Sequence, residues 1–274
     1  MNLVLVTVIN DDLAGLRRTE QSVRSQSVKV NWTIVTPNNG SEVFEYSQRL
    51  LRLGMINSLI TDSGKGIYEA MNLSIQELED TDWVWFLNAG DEIADLNSVE
   101  SVATYMAATK QSWLYGGVYL STQRGKVFAE LKAPVNLKIQ HQLFSKNYIC
   151  HQSTIFKVGF LRFLGGFDLQ FRIASDWDLI ARSLKLDAGE RLPITISKFY
   201  LGGFSSIARQ KGNKELYKLR KIYLGSKYFV PSFTWFAYRY FRNLIVLLLE
   251  NHRIDLLDSL RLAKFKLRNL SNND

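Results

Sequence analysis

The chain is 274 residues long and 46% hydrophobic, enough for one large α/β domain with an appendage and a sizeable core, which excludes an intrinsically disordered chain. Its single cysteine, Cys150, excludes an internal disulfide and a cysteine-based zinc site and fits a reducing compartment. The net charge of +8 is uneven, with 20 Lys and Arg against 21 Asp and Glu in residues 1–206 but 14 against 5 in residues 207–274; the C-terminal excess points to an anionic partner, membrane or nucleic acid, unless it is simply a solvated face.

The first residues, 3–9, lack a basic leader and meet Asn10-Asp11-Asp12 too early for a signal peptide or a membrane span, so they read as a first strand. A helix over 12–25 with Asp11 or Asp12 as its cap follows, then a strand over 32–36, a helix over 41–53, a strand over 56–60, a helix over 67–78 and a strand over 83–87. Beyond this point the pattern becomes mixed: a helix near 98–108, a strand over 113–120, a turn at Gly125, a strand over 126–131, and a later helix starting near Ser175 or Asp176. The alternation predicts an α/β fold built on a doubly wound, mostly parallel sheet. Ligands of such sheets bind outside the carboxyl ends of the strands, where Asn10, Asn38, Asp62 and Asp91 fall. There is no internal repeat, low-complexity tract or Pro/Ser-rich linker.

Residues 83–92 carry the strongest local signal. Trp83-Val84-Trp85-Phe86-Leu87 is an apolar run suited to a strand buried on both faces, and Asn88-Ala89-Gly90-Asp91-Glu92 is a small-residue turn presenting two carboxylates, hard oxygen ligands of the kind a divalent cation takes. An ordinary turn followed by an acidic helix cap would look the same in isolation. No G-x-G-x-x-G follows the first strand, and Gly64-Lys65-Gly66 lacks the spacing of a P-loop, so phosphate has to be handled by a metal or by side chains.

Further segments accompany that turn: Lys65-Gly66-Ile67-Tyr68-Glu69-Ala70-Met71-Asn72, Cys150-His151-Gln152-Ser153-Thr154, Gly165-Gly166-Phe167-Asp168 with Ser175-Asp176-Trp177-Asp178, and Gly202-Gly203-Phe204-Ser205-Ser206. In this order the set resembles family 2 glycosyltransferases of the GT-A fold, particularly those of bacterial exopolysaccharide, capsule and O-antigen synthesis, over about residues 3–206. The resemblance makes Asp91 the last acid of a D-x-D-like motif and so the ligand of a divalent metal, Mn²⁺ or Mg²⁺, with Asn88 or Glu92 contributing directly or through water. It makes Asp176 the base that takes a proton from the acceptor hydroxyl, the alternative being a helix-capping carboxylate. Asp178, two positions on, points to another helix face and reads as structural. The resemblance also brings Lys65, Tyr68, Glu69 and Asn72 to the donor and His151 and Gln152 to the acceptor side; for His151 a hydrogen-bonded core histidine is the competing reading.

Two positions depart from the family's pattern. Thr36 stands where an Asp contacting the donor base is expected, which passes base recognition to Asn38 or to the backbone. Gly64 replaces an acid that often precedes Lys-Gly, and Asp62 is the nearest substitute.

The expected organisation is a catalytic domain over 1–206, with a donor half of about 1–92 and an acceptor half of about 93–206, followed by a basic amphipathic helical extension over 207–274. Within the extension, Phe233, Phe236, Ala237, Tyr240, Leu244 and Leu248 follow helical spacing and basic residues intervene, a pattern that suits either packing on the domain or binding to an anionic membrane surface through 233–274. Nucleic acid is disfavoured, because no helix-turn-helix, zinc or RNA-binding signature accompanies the charge. The sequence therefore points to a cytoplasmic enzyme, peripheral at the inner face of the membrane. Its expected activity is inverting transfer of a sugar from a nucleotide diphosphate sugar to a glycan or lipid-linked acceptor; a catalytically silent nucleotide-sugar-binding scaffold is the alternative.

Overall fold

A computed structural model of the chain describes residues 2–144, 148–201 and 209–225, with residues 234, 237 and 238. The Gly202–Ser206 segment lies outside the described residues, as does the 233–274 extension apart from those three positions.

The first half alternates strand and helix as expected. Strands β1 (Leu3–Val8), β2 (Asn31–Pro37), β3 (Ser58–Asp62) and β4 (Trp83–Phe86) are joined by helices α1 (Leu13–Arg24), α2 (Glu42–Arg52) and α3 (Ile67–Gln76). Asp12 caps α1 by accepting from the Gly15 N–H, and Ser41 caps α2 by accepting from the Phe44 N–H, which fixes where both helices begin. Strand β3 starts two residues later than the sequence suggested, because the Asn57 side chain binds the Trp32 N–H ahead of it.

The second half contains β5 (Glu92–Ile93), α4 (Ser98–Ala108), β6 (Trp113–Ser121), β7 (Val127–Leu131), α5 (Ile139–Phe144), a 3₁₀ turn at His151–Ser153, β8 (Thr154–Lys157), α6 (Val158–Phe163), α7 (Ser175–Leu186), β9 (Glu190–Tyr200) and α8 (Arg209–Leu224). The strands form one sheet in the order β3-β2-β1-β4-β8-β6-β9-β5, with β7 beside β6. Strands β1 to β4 pair in parallel; β8 runs antiparallel to both β4 and β6, and β9 runs parallel to β6.

Both faces of the sheet are covered. Along β4, Trp83 and Trp85 enter one core with Leu16, Val43, Val99 and Met106, while Val84 and Phe86 enter the other with Met71, Leu161, Phe167 and Leu179. A strand buried on both faces has no polar side, which is why β4 is continuously apolar. Its three aromatic side chains are wholly buried, each worth ~1.5–3 kcal/mol of transfer free energy. A third cluster joins α8 to the body: Leu216, Leu219 and Leu224 pack with Leu143 of α5, Phe171 and Ala174. Residues 209–224 thus dock on the domain, although the charge boundary falls before them.

No helix among the described residues is long and apolar enough to cross a membrane.

Candidate active site

The chain leaves β1 for β2 on one side and returns to β4 on the other, so the carboxyl ends of β1 and β4 border the switch point of the parallel half. Pairing with β1 continues past the end of β4, through Leu87 N–H to Val6 and Ala89 N–H to Val8, and sets the 88–92 turn at that edge. Helix α1 then pins it. The Gly90 N–H donates to the Gly15 carbonyl at 3.1 Å and to the Thr19 hydroxyl, the Thr19 hydroxyl donates to the Asp91 carbonyl at 2.8 Å, and the Ile93 N–H donates to Ser22. Gly90 has φ of 95°, a left-handed conformation that glycine adopts at little cost, and Gly15 admits the turn so closely that a Cβ there would meet the Gly90 nitrogen at 3.0 Å.

Asp91 is buried at 5% exposure. Its Oδ1 accepts from the Tyr200 N–H at 3.1 Å. Burial pushes its pKa up to about 7, opposed by the Tyr200 N–H, the Gln152 amide and the Arg18 charge, with Glu92 adding to the rise. Neighbouring Asn88 presents a buried Oδ1 with no partner among the described residues. A buried carboxylate beside an orphaned amide oxygen is a hard-oxygen donor set of the kind that fits Mn²⁺ or Mg²⁺. Among the described residues no group of three or more His, Cys, Asp or Glu side chains converges as a complete metal cage.

Glu92 departs from the expected helix cap. It lies in β5, where it accepts from the Tyr200 hydroxyl at 2.6 Å and pairs with Lys198 at 3.1 Å, so it anchors β9 to the turn rather than capping α4.

The other candidate carboxylate comes from the second half of the chain. Asp176 is the second residue of α7, whose N-cap is Ala174 with no side-chain cap; neither Ser175 nor Asp176 caps the helix. Its Oδ1 lies 3.0 Å from the Tyr68 hydroxyl, which also donates to the Ile173 carbonyl at 3.0 Å. Burial raises the Asp176 pKa to about 6, the Tyr68 hydroxyl and the Trp177 N–H oppose the rise, and Glu215 adds to it. Asp178 is structural, as expected, bound to Arg182 at 2.7 Å and to the Tyr223 hydroxyl.

Burial drives the Cys150 pKa upward, with the charges of Asp91 and Asp176 adding to the rise, away from thiolate chemistry. The thiol is partly buried and donates to Gln152 Oε1. The Trp85 indole N–H holds the Gln152 main-chain carbonyl at 2.8 Å, so a core residue of β4 fixes the backbone beside Cys150.

The remaining positions divide clearly. Asn38 and Lys65 are exposed at the ends of β2 and β3. Asp62 buries an Oδ1 with no partner among the described residues, and its pKa is raised, chiefly by burial. Glu69 accepts from Ser63. Tyr68 belongs to the Asp176 side and stacks on Phe167 at 5.3 Å. Asn72 spends its amide on the main chain of Phe167, donating at 2.9 Å and accepting at 2.8 Å, which clamps the Gly166–Phe167 turn. His151 is not hydrogen-bonded: its ring stacks on Phe86 and meets Phe167 edge-on, neither nitrogen has a partner among the described residues, and burial lowers its pKa to about 4, keeping it neutral. No motif marks Thr19, Tyr200 or Glu215 in the sequence; the packing of helices and strands brings them to the site.

An uncharacterized glycosyltransferase of Mycobacterium tuberculosis is 25% identical over 184 residues, covering 65% of this chain and 67% of that protein. Staphylococcus aureus TarS 1–349 in complex with UDP superposes with a TM-score of 0.61 at 11% identity, over 81% of this chain and 65% of that one. The mannosyltransferase PcManGT from Pyrobaculum calidifontis in complex with GDP-Man and Mn²⁺ superposes at 0.60 and 11%, over 97% and 80%. The fold is GT-A-like. The chain spans about two thirds of the length of the M. tuberculosis protein and of that TarS structure. No protein-family profile matches it.

Proposed function

We propose that the protein is an inverting glycosyltransferase of family 2 that moves a sugar from a nucleotide diphosphate sugar to a glycan or lipid-linked acceptor in cell-surface polysaccharide synthesis. The observation that carries this reading is a pair of carboxylates from the two halves: Asp91, buried on a strand-end turn and bound by the Tyr200 N–H, and Asp176, half-buried at a helix start and bound by the Tyr68 hydroxyl. Relatives and fold neighbours that are glycosyltransferases support it.

In this reading Asp176 accepts the proton of an acceptor hydroxyl. The hydroxyl oxygen forms the new bond to the anomeric carbon as the bond to the diphosphate oxygen breaks on the opposite face, which inverts the configuration and releases the nucleoside diphosphate. A base with a pKa near 6 is ionised at neutral pH and more basic than a free aspartate, a setting that favours proton abstraction by ~10²–10⁴-fold where the geometry is right. Asp91, with Asn88, is the proposed holder of a divalent cation whose role is to neutralise charge on the leaving diphosphate. Asp62, Lys65 and Glu69 lie at the donor edge, and Asn38 or the main chain meets the base.

The scaffold alternative draws on Thr36, which is buried and offers no carboxylate to a base. Thermal shift with UDP-, GDP- and dTDP-sugars in the presence of Mn²⁺ selects the donor, since a ligand of the folded state raises apparent stability. Mn²⁺-dependent hydrolysis of that donor then decides between the two: turnover supports the enzyme, and binding without turnover supports the scaffold. We further propose that residues 233–274 bind anionic membranes. Vesicles containing phosphatidylglycerol should retain the full chain, with weaker binding as salt rises, and should not retain a chain ending at 232.

A further inference from the structure

Resting on the reading of Asp176 as the base, we propose that Glu215 is a positioning residue for the acceptor-side chemistry: from the buried face of α8 it holds the chain entering α7 and thereby the Tyr68–Asp176 pair. Glu215 is 7% exposed. Its Oε1 accepts from the Arg172 N–H at 3.2 Å, and its Oε2 accepts from the Ile173 N–H at 2.8 Å and the Ala174 N–H at 3.0 Å. Three main-chain donors on one carboxylate offset the cost of burying its charge and hold the segment by charge-assisted bonds.

The segment needs an outside partner because Ala174, the N-cap of α7, has no side chain able to cap. Helix α8 comes close enough to supply one: a Cβ on Gly212 would lie 2.9 Å from Ile173 Cγ2. Leu216 and Leu219, one and two turns further along α8, pack with Phe171 and Ala174.

The pinned Ile173 is what ties Glu215 to the chemistry. The Tyr68 hydroxyl has one proton and two acceptors, the Ile173 carbonyl and Asp176 Oδ1. When Asp176 is ionised, Tyr68 donates to it; when Asp176 has taken a proton, it can donate to the Tyr68 oxygen while Tyr68 turns to Ile173. A fixed Ile173 carbonyl lets the base cycle between these states without the helix start moving. The groups facing Asp176 are Tyr68 from α3, Cys150 from the segment before β8 and Glu215 from α8.

The test compares the full chain with Glu215→Ala, Glu215→Gln and Asp176→Asn. Mn²⁺-dependent hydrolysis of UDP-glucose, UDP-GlcNAc and GDP-mannose is followed across pH, together with UDP–Mn²⁺ binding and hydrogen exchange at residues 172–174. Glu215→Ala is expected to lower kcat at least about tenfold with donor KM and UDP–Mn²⁺ binding within about twofold, and to speed exchange at 172–174. Glu215→Gln, which keeps one oxygen for Ile173 and Ala174, is expected to recover most of kcat and to move the acid limb to lower pH, because the negative charge beside Asp176 is gone. Wild-type kcat and acid limb in both variants, with Asp176→Asn inactive, would overturn the proposal and leave Glu215 as packing. Activity in Asp176→Asn would remove the base reading instead; faster exchange at 172–174 in Glu215→Ala would then retain the pin, and unchanged exchange would overturn it. If Glu215→Ala fails to fold by circular dichroism, Glu215→Gln decides by its acid limb and exchange.

Discussion

The two halves of the site hold their carboxylates in different ways. Asp91 sits on a turn fixed almost wholly by main-chain geometry: parallel pairing extended past β4, a left-handed glycine, and hydrogen bonds from α1 to backbone groups of the turn. Asp176 sits at a helix start with no side-chain cap, set by a network that runs through the Tyr68 side chain to α3 and through Glu215 to α8. A main-chain frame tolerates side-chain changes around it and fails when the backbone is altered. A side-chain network behaves in the opposite way, and loses position one hydroxyl or carboxylate at a time.

The largest effect is expected from Asp91→Asn, which should lower donor hydrolysis by at least about 10³-fold and weaken UDP binding in Mn²⁺ but not in chelator, with the fold intact by circular dichroism. Full activity in chelator would remove the metal role.

Asp176→Asn should cost about 10²–10³-fold in kcat and leave UDP–Mn²⁺ binding unchanged, which separates the halves directly. In the unmodified protein kcat should fall about tenfold per pH unit below about 6, where Asp176 becomes protonated. The stability effect has the opposite sense from a salt-bridged aspartate. A folded-state pKa raised to about 6 means that the native state binds the proton more tightly, so this group's contribution to stability declines as pH rises from about 4 to about 6 and stays low above it. That decline should vanish in Asp176→Asn when unfolding is measured across the window.

Gly90→Ala probes the main-chain frame. Space is available, but φ of 95° strains any L side chain, so the variant should lose about 1–2 kcal/mol of stability in urea titration and about tenfold in Mn²⁺-dependent UDP binding. An unchanged affinity would mean that the turn does not need this backbone geometry.

Tyr68→Phe is the smallest change and the sharpest on sign. It removes a hydrogen bond that favours ionised Asp176, so the acid limb should move to higher pH, with kcat at neutral pH lower by only about threefold to tenfold. Tyr68→Phe and Glu215→Gln should therefore displace the same limb in opposite directions, a pattern that simple loosening of the helix start does not produce.

Much of this was legible in the residues themselves. The alternation over 3–87, the caps at Asp12 and Ser41, the doubly buried β4 and the small-residue turn after it are encoded by neighbours in sequence, because periodicity and turn chemistry act over a few residues. Local pattern marks Asp91 at the end of that turn, whereas the metal role of Asp91 and the base role of Asp176 come from the family resemblance. Their surroundings were not legible there. Tyr68 meets Asp176 across 108 residues, Tyr200 meets Asp91 across 109, and Glu215 reaches the α7 entry from a helix that the charge pattern assigned to a separate extension. Only the layering of helices on the sheet brings such groups together, and it spends Asn72 on the Phe167 main chain and closes His151 among aromatic rings. The chain's local pattern determined where the strands end and which acids stand there. Tertiary packing decided how deeply those acids are buried and which groups share their protons, because burial and hydrogen bonding arise from contacts between segments distant in the sequence.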